Sequence, residues 1–211
     1  MYGIIGPNGS GKTTVFNTLA GLIQPSSGRI CFEGKDITAV PTHLRCRMGI
    51  GRTFQIPRPF ERMSVYENVL SAAVFGSGCS EHAGREIALS VLEFTGLGEK
   101  REQRAGMLTL LDRKRLEIAR AIGTGPKLLL LDEVAAGLTS REIDDVIVLV
   151  QRLKRRGYTI IWIEHIIETM IRATDCLLCI AEGRCVIQGK PMEVMQSKEV
   201  EKLYLGVEMS E

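Results

Sequence analysis

No apolar run in this sequence is long enough to cross a bilayer. The longest, Leu128 to Leu131, Ile160 to Ile163 and Val146 to Val150, fall far short of the roughly 20 residues that a spanning helix needs. No secretory signal is visible. Charge is nearly balanced, with 27 basic against 25 acidic residues and a net +2, and the concentrated basic patch of a nucleic-acid binder is missing. Nucleic acid is therefore not expected as a partner. Paired zinc knuckles are missing too. Of the six cysteines, only Cys176-x-x-Cys179 with Cys185 forms a cluster. Cys176 and Cys179 flank Leu177 and Leu178 in what reads as a buried strand, so core thiols are the expected role. Reduced thiols suit the cytosol.

What the chain does have is Gly6-Pro7-Asn8-Gly9-Ser10-Gly11-Lys12-Thr13, followed by Thr14. It fits the phosphate-binding pattern G-x-x-x-x-G-K-[ST] at every fixed position. Glycines without a Cβ let the backbone curl around a phosphate and aim successive N–H groups at it. Lys12 adds a point charge for the β- and γ-phosphates, and the Thr13 hydroxyl can ligate Mg²⁺. A helix starting near Lys12 turns its positive end to the same anion. Ile4-Ile5 reads as a strand end. Val15, Phe16, Leu19, Leu22 and Ile23 follow at helical spacing, with Gly21 and Pro25 as the stop. ATP with Mg²⁺ is the expected ligand.

At 211 residues the chain is expected to form a single domain. Helical patterning predominates from Ser64 to about Gly96, broken at Gly76-Ser77-Gly78, and returns from Arg113 to about Ile122. This predicts a helical subdomain over about 57–125, inserted between strands. The apolar strand Leu128 to Leu131 ends in Asp132-Glu133. Thr159 to Ile163 ends in Glu164-His165, with a helix over Ser140 to Arg155 between them. Continuously apolar strands separated by helices imply a parallel sheet covered on both faces. Such sheets bind ligands beyond the carboxyl ends of their strands. The pattern alone thus brings the phosphate loop, Asp132-Glu133 and His165 to one rim.

There, Asp132 can hold Mg²⁺ and Glu133 can orient and deprotonate a water. His165 can contact a γ-phosphate, and Gln55 can reach the metal or the water. An acidic residue after a strand is often only a helix cap, and a lone histidine is more often structural. The phosphate loop is what tips both toward function.

On these motifs the chain resembles the ATP-binding cassette (ABC) family over nearly its whole length. Residues 6–13 look like its Walker A motif, 128–133 its Walker B motif with the glutamate, and Gln55 its Q-loop. Ala136-Gly137-Leu138-Thr139 looks like the D-loop, and His165 the switch histidine. Gly51-Arg52-Thr53-Phe54-Gln55 and Leu203-Tyr204-Leu205-Gly206 look most like the ATPase subunits of branched-chain amino-acid importers. The resemblance implies a P-loop α/β ATPase working at the cytoplasmic face of the cell membrane. It also implies a second ABC ATPase subunit closing head to tail, with transmembrane permease subunits as partners. Lipid or lipopolysaccharide exporters and non-transport ABC ATPases are the alternatives.

Three departures carry expectations. The family signature, usually Leu-Ser-Gly-Gly-Gln, reads Leu108-Thr109-Leu110-Leu111-Asp112. Its bulk and its carboxylate should serve a partner's γ-phosphate poorly, which favours an unlike partner; Thr109 and Asp112 can at the same time form an ordinary capping box for the following helix. Val134 replaces the usual proline after the glutamate, predicting a looser loop. The start is short, so the family's N-terminal antiparallel part and its adenine-stacking aromatic are expected to be truncated. Tyr2 sits too near the loop to replace that aromatic.

Overall fold

The computed structural model describes residues 1–205. Gly206, last of the Leu203–Gly206 segment, lies outside the described residues. The elements are β1 (Tyr2–Ile5), α1 (Lys12–Leu19), β2 (Cys31–Phe32), β3 (Lys35–Asp36), α2 (Thr42–Arg47) and β4 (Ile50–Arg52). Helices, turns and one isolated antiparallel bridge between Ser64 and Arg104 then follow up to residue 127, the helices chiefly α3 (Val65–Ser71), α4 (Glu81–Thr95) and α5 (Leu110–Gly123). The chain goes on through β5 (Leu128–Asp132), α6 (Ser140–Arg155), β6 (Thr159–Ile163), α7 (Ile167–Ala173), β7 (Cys176–Ala181), β8 (Arg184–Gly189), α8 (Pro191–Met195) and α9 (Lys198–Leu205).

Six strands make one sheet in the order β4-β5-β6-β1-β7-β8, parallel except for β8. Period-2 alternation sorts its side chains onto two faces. Ile5, Leu129, Leu131, Ile160 and Trp162 join one core with α6 residues Val146, Ile147 and Val150. Ile4, Leu130 and Ile163 join the other, around Phe16 of α1 and Ile37. A third core fills the helical block with Val65, Val69, Leu92, Leu97, Leu116 and Ala119. Helix α5 serves two of these, giving Ile118 and Ile122 to the sheet core and Leu116 and Ala119 to the helical one. The antiparallel part among the described residues, besides β8 and that bridge, is the β2–β3 hairpin, whose strands pair only with each other.

Two boundaries differ from the sequence expectation. Helix α1 ends at Leu19, not beyond Ile23, and Leu22 and Ile23 are exposed. An arginine from α2 stops it. Arg45, itself buried, donates from Nη1 to the Thr18 and Leu19 carbonyls at 2.6 and 2.9 Å, satisfying the helix end. Gly21 turns away at φ 80, where a Cβ would meet Arg45 Nε at 2.9 Å. Helix α5 starts at Leu110 rather than Arg113, because the Thr109 hydroxyl accepts the Asp112 N–H and caps it.

The layering gives graded costs. Leu129→Ala, emptying a fully buried site in a central strand, should lose about 2–5 kcal/mol in urea unfolding. Ser64→Ala, which breaks the capping box of α3, should lose about 1 kcal/mol. Equal losses would contradict the layer assignment.

Candidate nucleotide site

The phosphate loop joins β1 to α1. Gly6 has φ 152 and a Cβ there would lie 2.0 Å from the Ile180 carbonyl oxygen, so no other residue fits. Gly11 starts α1 at φ 102, in the left-handed region. The β7–β8 turn braces the loop, with the Gly183 N–H donating to the Ser10 carbonyl at 3.0 Å. Lys12 is buried, and its Nζ donates to the Gly6 and Pro7 carbonyls at 2.8 and 2.9 Å. Burial pushes its pKa below the ordinary lysine value, against the opposing pull of Glu133 and Asp132.

A cleft of about 290 Å³ opens over this loop, lined by the residues from Asn8 to Thr14 together with Gln55, Glu133 and His165. Three side chains nominated by sequence meet there. Glu133 Oε1 lies 2.7 Å from His165 Nε2, and Glu133 Oε2 accepts from Gln55 Nε2 at 2.6 Å. Against a carboxylate, that imidazole nitrogen carries the proton. Glu133 has φ 47, a backbone region that costs a non-glycine residue energy. Val134 behind it is fully buried in the sheet core, and the Ala135 N–H donates to Glu164 at 2.7 Å. Packing and this bond pin the loop where a proline ring was expected to.

Asp132 does not line the cleft. It lies one layer deeper, with Oδ2 accepting from Arg52 Nη2 at 2.9 Å. Burial raises its pKa, and Arg52 pulls the other way. Its second oxygen, Oδ1, is buried and meets no hydrogen-bond partner among the described residues. A buried, unpartnered carboxylate oxygen is a group that a hard cation would satisfy, and Thr13, in the first turn of α1, puts a hydroxyl in the neighbouring cleft. These donors fit Mg²⁺. Gln55 is spent on Glu133 in this geometry rather than turned to that position.

Several site residues escaped the sequence reading. Arg52 also donates to Asn17 on α1 at 2.6 Å and lies over the Phe16 and Phe54 rings. Lys114 is buried, with Nζ 2.8 Å from both the Gln55 and Glu133 carbonyls. Glu164, nearly inaccessible, accepts from the Ala135 and His165 N–H groups. Arg52 stood inside the quoted Gly51–Gln55 stretch and Glu164 beside His165. Lys114 gave no signal, since a lysine on an amphipathic helix reads as solvent-facing. The signature segment also differs from expectation. Asp112 is turned inward to Lys100, Thr109 and Arg115, so its charge is compensated within the chain. Leu110 remains half-exposed.

The family model described as ABC transporter matches residues 1–136. The chain belongs to the ABC transporter family. It is 38% identical to a high-affinity branched-chain amino acid transport ATP-binding protein of Pseudomonas aeruginosa, over 98% of this chain and 87% of that one. It is 32% identical to a lipopolysaccharide export system ATP-binding protein of Haemophilus influenzae, over 98% of this chain and 86% of that one. Among solved structures it is similar to an ATP-binding cassette in its ADP conformation, with TM-score 0.87, 32% identity and coverage of 98% and 88%. As a member of this family the chain is an ATP-binding, ATP-hydrolysing subunit of a transporter. None of its helices, among the described residues, is long and apolar enough to cross a membrane.

Burial holds the Glu164 carboxyl above its ordinary value of 4.5, against the backbone N–H bonds that pull it back. The folded chain therefore binds this proton more tightly than the unfolded chain. Its contribution to stability is most favourable below pH 4.5 and declines as pH rises through the folded pKa. Glu164→Gln should flatten that decline in a series of melting curves against pH. An unchanged slope would refute the assignment.

Proposed function

We propose that this chain is a single ABC-type domain, with a helical subdomain over about 57–125, that powers an importer of branched-chain amino acids or related small solutes. The observation carrying the enzymatic part is the Glu133–His165–Gln55 cluster facing the phosphate loop across one cleft. The nucleotide's phosphates lie on the loop amides from Asn8 to Thr14, with Lys12 drawn from the Gly6 and Pro7 carbonyls to their oxygens. Glu133 orients a water and takes its proton as the oxygen attacks the γ-phosphorus; the bond from that phosphorus to the β–γ bridging oxygen breaks, and ADP leaves with the electron pair. His165 holds the Glu133 carboxylate through its Nε2–H until nucleotide binds, when the same N–H turns to the γ-phosphate, and Gln55 holds the other carboxylate oxygen. Thr13 and Asp132 are the residues that would hold Mg²⁺, with Gln55 within reach after leaving Glu133. Held there, the ion would neutralise the charge that develops on the phosphates.

Substrate class draws support from relatives named for branched-chain amino acid transport at 38% and 36% identity, and from the Gly51–Gln55 stretch. Relatives named for lipopolysaccharide export, at 30–34%, favour the exporter as second reading. The partners are permease subunits and an unlike ABC ATPase whose signature keeps its glycines, at the cytoplasmic face of the membrane. Leu110, half-exposed, adds bulk where this chain would meet a partner's nucleotide, while Leu111 packs against the sheet core. A cleft of about 220 Å³ beside Phe54, lined by Ala20, Leu22, Ile50, Ala72 and Ala121 among others, is where we place the membrane subunit.

Glu133→Gln should lower ATP turnover by about 10²–10⁴-fold while leaving ATP affinity unchanged; turnover at the original rate would remove Glu133 from its role. The isolated chain should hydrolyse ATP slowly and without cooperativity, and adding a cassette with an intact signature should raise the rate. Fast cooperative hydrolysis by the chain alone would overturn the unlike-partner reading. Stimulation of the reconstituted transporter by a leucine-loaded binding protein would support the importer, and stimulation by lipopolysaccharide the exporter.

A further inference from the structure

We propose that Lys114 is a positioning residue that ties the backbone carbonyls of Glu133 and Gln55 to helix α5 and so sets where the Glu133 carboxylate stands for the reaction. The inference rests on the role given to Glu133 above. Lys114 is 2% exposed, a position where an apolar side chain would pack without the several-kcal/mol cost of burying an ammonium group. Its Nζ bridges two carbonyls from distant parts of the chain, Gln55 and Glu133, at 2.8 Å each. Charge-assisted bonds of this kind are short and directional. One of them falls on the residue whose φ is 47, so the bond fixes the peptide plane on which the Glu133 carboxylate depends. The other sets the peptide after Gln55, whose amide holds Glu133 Oε2.

The third attachment is α5 itself. Lys114 lies two residues after Asp112, at the start of the second turn of the helix that Thr109 caps. Leu116 and Ala119 of that helix pack in the helical core and Ile118 and Ile122 in the sheet core. A displacement of residues 108–112 therefore reaches Lys114 within one helical turn, and through Nζ the two carbonyls. A buried lysine that only satisfied stray carbonyls would stabilise the fold and leave the reaction rate per folded molecule alone.

The two roles separate in the full-length chain. Lys114→Met and Lys114→Arg are compared with the unaltered protein for ATP affinity by calorimetry, single-turnover hydrolysis of bound ATP, and amide hydrogen exchange. A positioning role predicts that Lys114→Met slows the single turnover at least about tenfold, in line with the cost of small misplacements, with affinity held within about threefold. Exchange should quicken at residues 55–56 and 133–136 and not at Leu129–Leu131. Lys114→Arg, which can still donate to both carbonyls, should recover most of the rate. In a Glu133→Gln background Lys114→Met should add no further loss. An unchanged single-turnover rate overturns the proposal, as does a loss of affinity in parallel with melting temperature, or an arginine variant no better than methionine. If Lys114→Met does not fold, Lys114→Gln, which keeps one donor group, is read in the same way. A Glu133→Gln variant that turns over normally would instead remove the reading on which the proposal rests.

Discussion

Everything at the site hangs from the register of one short strand. β1 lies parallel between β6 and β7, with Ile4 opposite Ile163 on one side and Leu178 on the other. β5 continues the row, with Asp132 opposite Ile163. The loop after Ile5, the acids after Leu131 and the Glu164-His165 pair after Ile163 therefore emerge side by side. A slip of one residue would exchange Ile4 and Ile5 between the two cores, which is why the hydrophobic pattern fixes the register so firmly.

That edge gathers three buried carboxylates, Asp132, Glu133 and Glu164, and interleaves them with Lys12, Arg52 and Lys114. Burying so many charges is unfavourable unless each is hydrogen-bonded. The partners differ in kind. Asp132 faces a guanidinium, Glu133 an imidazole and an amide, and Glu164 two backbone N–H groups. Three similar acids on adjacent strand ends are thereby given unequal freedom, with Glu133 the one that borders the cleft.

Much of this was legible before any coordinates. Continuous apolar runs located β5, β6 and β7, and glycine and proline punctuation bounded the helices of the inserted block. The meeting of Glu133 and His165 at the phosphate loop could be anticipated because strand ends in a parallel sheet share an edge, while Gln55 was expected there only as a side chain able to reach the metal or the water. Asp132 was assigned to the same rim, yet its partner Arg52 was not foreseen, since pairing across 80 positions leaves no local trace. Arg45 escaped for the same reason. The periodicity of α1 ran on through Leu22 and Ile23, and only a side chain from the next helix, filling the space beside Gly21, ended it sooner. Apolar spacing reports which face is covered, not what covers it. It cannot mark a lysine such as Lys114 that goes inward for hydrogen bonds.

Helix α5 has a consequence for how the molecule could be divided. Its opposite faces close two different hydrophobic interiors, so neither the helical block nor the sheet owns a complete floor without it. An excision that kept α5 with the block would open the sheet beneath Ile118 and Ile122, and one that kept it with the sheet would strip the block under Leu116. The inserted region is consequently not a transplantable module, and its exchange between relatives would have to carry the α5 seam on both sides.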